Sequence, residues 1–250
     1  TFSNTGITDP TGTAFNIDGS NITALNISGS ITQNNAASAF VSNASTGGIH
    51  TIAAAISAST GAANAVTIAS TGTFNFSGNL GLATTSGTGF SASGGATISV
   101  SGATTAINTT TGQILNWGGV NVGGPNVAFD TLAASGLVAG DAIRLDTLGG
   151  AGTFSATTTS ISRTSGSGIH MSGSSAAVTL GTVDVGTLGV ADNATHGIRL
   201  DGNSGTFTVT GNVNIFNPTA AGVSIANATS SFAASFQGQT EVRNGVAASA

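Results

Sequence analysis

A short pattern that returns about every 25 residues constrains this chain more than any other feature. It is a small residue, an apolar residue, any residue and a second apolar residue, followed by a turn. It reads Ala14-Phe15-Asn16-Ile17, Ala39-Phe40-Val41 and Ala65-Val66-Thr67-Ile68, then Gly89-Phe90-Ser91-Ala92 and, more loosely, Gln113-Ile114-Leu115. It continues as Ala142-Ile143-Arg144-Leu145, Gly168-Ile169-His170-Met171, Gly197-Ile198-Arg199-Leu200 and Gly222-Val223-Ser224-Ile225, and Gly245-Val246 begins one more. Successive starts lie 25, 26, 24, 24, 29, 26, 29, 25 and 23 residues apart. A period this regular, with strand patterning inside it, signals a solenoid.

Each period holds three strands. In the unit at His196, Ile198 and Leu200 alternate with polar residues and Asp201-Gly202-Asn203 turns the chain. Phe207 and Val209 then alternate with Thr206, Thr208 and Thr210, and after Gly211, Val213 and Ile215 alternate with Asn212 and Asn214. The unit at Asn64 matches, with Val66/Ile68, Phe74/Phe76 and Leu80/Leu82. One apolar edge per strand and three strands per period predict an all-β parallel β-helix, a solenoid of about ten coils. A single coil cannot form a core, but coils stacked about 4.8 Å apart align like residues into columns, giving a rod roughly 45–50 Å long. Phe15 is then expected over Phe40, and Phe74, Phe154, Phe207 and Phe232 at equivalent second-strand positions. The solenoid is expected to run over 1–250 as one unit. Residues 113–140, with Trp117 and Gly123-Gly124-Pro125, are expected to form an irregular coil or insertion. Trp117 reads as core or shoulder packing, or as a ligand platform.

Composition agrees with strands and narrows function. Gly, Ser, Thr, Ala and Asn dominate, and Thr, Val, Ile and Phe favour strands while Gly, Asn and Ser favour turns. Charged residues are 5% of the chain and the net charge is -5. Four Arg and no Lys cannot neutralise a run of phosphates, which excludes nucleic acid as a partner. With no Cys there is no thiolate metal site and no disulfide framework. No apolar run approaches about 18 residues, so no membrane-spanning helix is expected. Thr1 opens in the middle of a polar segment, and the chain reads as a piece of something larger. The lack of Lys and Cys suits an extracellular protein.

Chemistry is sparse. From Ser20 to Gly119 there is no charged residue. Arg144, His170 and Arg199 hold the same outward position in three successive first strands, with Asp146 and Asp201 two residues after the two Arg and Asp18 in that place in the first coil. Stacking would make them a ladder: a glycan-binding or catalytic patch, or a solvated strip of ion pairs. No second acid stands beside Asp146 to complete an acid/base pair. The second strands carry an outward face of small polar residues, among them Thr73, Asn75, Thr97, Ser99, Thr153, Ser155, Thr206, Thr208 and Thr210. It reads as an ice-binding or sugar-contacting surface, a lateral packing face, or an inert one. His50 and His196 read as single turn or surface residues and Asp184 as an isolated outward one. No phosphate-loop or calcium-repeat motif is present, and no cofactor or metal is expected.

Runs such as Thr97-Ile98-Ser99-Val100-Ser101-Gly102, Thr109-Thr110-Thr111-Gly112, Gly197-Ile198-Arg199-Leu200-Asp201 and Gly205-Thr206-Phe207-Thr208-Val209-Thr210-Gly211 resemble the right-handed parallel β-helix segments of giant bacterial surface proteins, the adhesin-like and autotransporter-passenger-like chains with long stalks. The resemblance covers nearly the whole chain as a pattern. It implies a cell-surface setting and a non-enzymatic structural role, with no site residues carried over. Neither end has a charged, amphipathic cap: Thr1–Asp9 is polar and irregular, and Val246–Ala250 starts a coil without finishing it. The expected partners are further coils of the same chain or copies of itself, end to end or side by side, with glycans or another cell surface as the alternative.

Overall fold

Alternating apolar and polar residues over four to six positions give each strand one inward edge. Coiling the chain so that three such edges meet buries all of them. The computed structural model, which describes residues 1–190 and 194–244, shows this arrangement. The described residues are all-β, with parallel strands in stacked coils of about 25 residues, a β-solenoid of about ten turns. The expected coil start at Gly245-Val246 lies outside the described residues.

The first face is a nine-stranded parallel sheet that runs from Phe15–Asp18 to Ala221–Ala226. Its leading inward column is Phe15, Phe40, Val66, Phe90, Leu115, Ile143, Ile169, Ile198 and Val223, one residue per coil. Phe15 stacks on Phe40 with ring centroids 5.7 Å apart and planes 5° from parallel, as the repeat predicts. The second and third faces join into one sheet because Ala24–Gln33, Asn121–Val138, Thr153–Thr164 and Ala177–Val185 run through the corner between them unbroken. Elsewhere the corner breaks the strand, as between Thr73–Phe76 and Leu80–Thr84. Gly78 sits at that break, where a Cβ would lie 2.2 Å from the Ala54 carbonyl oxygen.

The small residue that opens each repeat has a steric cause. A Cβ on Gly168, Gly197 or Gly222 would lie 2.6, 2.5 or 2.4 Å from Val185, Ile215 or Val242 respectively, the third-face side chain of the same coil. In these three coils the corner from third face to first therefore closes only over Gly, whereas Ala39, Ala65 and Ala142, and Ile114 before Leu115, fill the same position in other coils. Turns are stitched to neighbouring coils by Asn side chains. Asn64, Asn79, Asn126 and Asn212 accept the backbone N–H of Thr88, Thr104, Thr153 and Gln239, one coil further on, at 2.8–3.1 Å. Buried Asn203 accepts from Ser174 N and donates to Met171 O, both at 2.9 Å. An aromatic chain threads the core through Phe40, Phe76, Phe90, Trp117 and Phe154, with successive centroids 5.2–5.8 Å apart. Trp117 is fully buried in it.

The second-face register differs from the expectation. Ile98 pairs with Val122 but Val100 pairs with Val127, so the four residues Gly123–Asn126 of the strand Asn121–Val138 stand opposite Ser99 alone, three in excess. Phe74 belongs to the column of His50, Ile98 and Val122. Phe154 and Phe207 belong to the next one, with Phe76, Val100, Val127 and Val178. Phe232 precedes its strand, Ala233–Phe236, and Phe236 is the ring that meets Phe207, at 6.1 Å. His50 is not a surface residue. It points into the core between Leu25 and Phe74 and is 1% exposed.

Candidate functional site

The ladder forms on the first face, where the register is unbroken. Arg144 pairs with His170 and His170 with Arg199, one residue in each of three coils. Asp146, Ser172 and Asp201 align beside them. Residues two apart on a strand point the same way, so each Arg meets its own Asp: Arg144 Nη2 lies 3.1 Å from Asp146 Oδ2, and Arg199 Nη2 lies 3.1 Å from Asp201 Oδ2. Ser172 Oγ donates to Asp146 at 2.7 Å, and Asn227 Nδ2 donates to Asp201 at 2.8 Å.

His170 turns from the two arginines to a residue that sequence reasoning missed. Its Nδ1 lies 2.7 Å from Asp141 Oδ2. Asp141 Oδ1 accepts the Ser167 backbone N–H at 2.7 Å. Burial pushes the Asp141 carboxyl up, but the His170 and Ser167 hydrogen bonds outweigh it and hold the group below its ordinary value. Asp141 stands 29 residues before His170 in sequence, and only coil stacking brings them together. His196 opens the next first-face strand and is half-buried. Burial, then the nearby Arg199 and His170 charges, lower its pKa against the opposing pull of Asp141. The Asn227 hydrogen bond, with help from Arg199, holds Asp201 low against its slight desolvation.

Both ladder arginines therefore have a carboxylate of their own, and the His170 ring has Asp141 against it. The arginine side chains are 45% and 41% exposed, where such a pair is worth about 0–1 kcal/mol. A strip that is neutralised internally offers no free cation to an anionic ligand. His170 Nε2 is buried with no hydrogen-bond partner, so no nucleophile is set beside it. Among the described residues no group of three or more His, Asp or Glu is placed to hold a metal.

The outward face of the second strands is also internally engaged. Thr73 aligns with Thr97, and Asn75 with Ser99, but Ser99 is 2% exposed and donates to Asn75 Oδ1. Past the Gly123–Asn126 bulge the face resumes with Thr153 and Ser155, then Thr206 and Thr208 two coils on. Ser155 Oγ donates to Val127 O and Thr210 Oγ1 to Leu180 O. The face is thus two separate patches. Asp184 has a partner in Asn214, whose Nδ2 lies 2.7 Å from it. A small groove of about 270 Å³ crosses coils at the third corner, lined by Ser59, Gly61, Thr84, Thr85, Thr109 and Ser135 among others, with no charged or aromatic side chain. Comparison of the chain with family models, curated proteins and solved structures finds no match.

Proposed function

We propose that this chain is a non-enzymatic structural segment, a stalk or filament piece of an extracellular, adhesin-like bacterial surface protein. The observation that carries the reading is the first face: nine parallel strands in unbroken register whose one charged strip neutralises itself. Such a surface spends its polar groups on holding the rod together and leaves none converging on a ligand. The exposed Phe2, Ile225 and Val242 lie on strands of the outermost described coils, where further coils or another copy would pack. The low charge offers little repulsion against side-by-side association.

Brief protease treatment of intact source cells tests the setting. Peptides from the turns, such as 187–190 or 226–232, are expected in the medium without lysis. Their release only after lysis would remove the cell-surface reading. The structural role is tested by R144S/H170S/R199S, which is expected to assemble as the unaltered chain does. Collapse of that assembly would mean the ladder is an interface.

A further inference from the structure

His50 occupies a core position in the part of the chain that has no charge to offset one. Its ring lies 4.7 Å from the Phe74 ring, centroid to centroid, and neither ring nitrogen has a hydrogen-bond partner. The strands beside it, Ala24–Gln33 and Thr73–Phe76, and Phe40–Asn43, Ala55–Ser59, Val66–Ala69 and Leu80–Thr84 of its own and the following coil, all fall between Ser20 and Gly119, while the preceding coil's Phe15–Asp18 turns Ile17 inward and leaves its one carboxylate, Asp18, exposed on the outside. That span holds no Asp, Glu, Arg, Lys, Cys or Tyr, so no titratable or charged group faces the ring. The Gly47 backbone, which makes no well-aligned hydrogen bond to either ring nitrogen, is the one influence that favours a charged ring. Burial outweighs it and lowers the pKa below 6.5. The other two histidines differ: His170 has Asp141 against it, and His196 lies near the same carboxylate in a later coil.

We propose that His50 is an acid trigger: a proton on its ring loosens the charge-free coils between Ser20 and Gly119, which open while the later coils hold. The cause is the placement of an imidazole where the charged form finds neither water nor a counter-charge. The sign follows from linkage. A histidine whose folded pKa is depressed leaves the fold at full stability above pH 6.5. Stability is lost as pH falls from 6.5 to the lower folded value, because the open form binds the extra proton. In a solenoid each coil contacts only its neighbours, so the loss is local to the coils around His50.

Hydrogen exchange by mass spectrometry between pH 7.5 and 4.5, corrected for the intrinsic pH dependence of exchange, tests this on the whole chain. One proton per opening allows at most about a tenfold rise in the opening constant per pH unit. We expect amides of Ile49–Ile52 and Thr73–Phe76 to approach that slope below pH 6.5, with Ile143–Asp146 much flatter. H50L and H50F, which fit the apolar column, are expected to abolish the slope in the early coils. Equal protection at pH 5 and 7.5, or an unchanged slope in both variants, would overturn the proposal. Should the variants fold poorly, the ring of His50 in the unaltered protein is titrated by NMR. A ring that stays neutral well below pH 6.5 supports the trigger, and one that protonates at or above 6.5 refutes it.

Discussion

Adding one methyl group to Gly197 tests the packing rule behind the repeat. The new Cβ would lie 2.5 Å from Ile215 Cδ1, 2.6 Å from Ile215 Cγ2 and 2.7 Å from the Gly222 carbonyl oxygen. Ordinary contacts need about 3.5–4.0 Å between carbons, so Ile215 and a backbone carbonyl must both yield. Overpacking of this kind costs about 1–3 kcal/mol. Against it stands the chain-entropy gain of a Gly→Ala change, about 0.4–1 kcal/mol. The steric term wins, leaving Gly197→Ala destabilised by about 1–2 kcal/mol, a fall in Tm of roughly 2–8 °C for a chain this long. Gly118 is the control: its Cβ would meet nothing within 4 Å, and Gly118→Ala is expected to leave Tm unchanged or raise it. A double-mutant cycle by calorimetry then pairs Gly197→Ala with Ile215→Ala, since the truncated side chain removes the clash and the two costs should fail to add by about 1 kcal/mol. A higher Tm for Gly197→Ala, or strict additivity in the cycle, would refute the steric account of the repeat's opening residue.

Trp117→Ala should lose about 3–5 kcal/mol in denaturant unfolding, because the buried indole touches Phe90 and Phe154. Trp117→Phe should lose much less, since the indole N–H has no partner to forfeit; equal losses would contradict the packing role. The triple variant R144S/H170S/R199S should lose about 0–1 kcal/mol for each half-exposed arginine pair and about 1–3 kcal/mol for His170, whose removal leaves the largely buried Asp141 carboxylate short of a partner, and a loss above about 5 kcal/mol would mean the strip is structurally essential. Asp141 has a depressed pKa, so its contribution is complete above the ordinary value of 3.8 and disappears as pH falls through the lower folded value. Urea midpoints between pH 5 and 2.5 should therefore fall more steeply in the unaltered chain than in Asp141→Asn, and parallel slopes would sink that assignment.

The first face was readable because one motif marks it in every coil. Counting from Ala14 to Gly222 sets the register that aligns Arg144, His170 and Arg199. The second face was readable only up to the long interval after Gln113. A 29-residue interval says that residues have been inserted but not on which face. The bulge at Gly123–Asn126 shifts the later columns, and Phe154 parts from Phe74. His50 was misplaced because Ile49-His50-Thr51-Ile52 offers two phases of alternation. The fold takes the phase that buries Ile52 over Ile27 and under Phe76, which exposes Ile49 at 57% and forces the imidazole inward. Asp141 escaped notice because its partner is a coil away, a neighbour in space that local spacing does not encode.

The coil geometry also sets how such a rod would behave in tension. Each coil adds about 4.8 Å to the length, yet holds about 25 residues, which extend to roughly 85 Å when pulled straight. A coil peeled from the stack thus lengthens a tether roughly eighteenfold over its folded share. Because each coil bonds only to its neighbours, release would proceed one turn at a time from a loaded end. A modest rod of this kind is also a reserve of slack, paid out in steps under load and rewound when the load is gone.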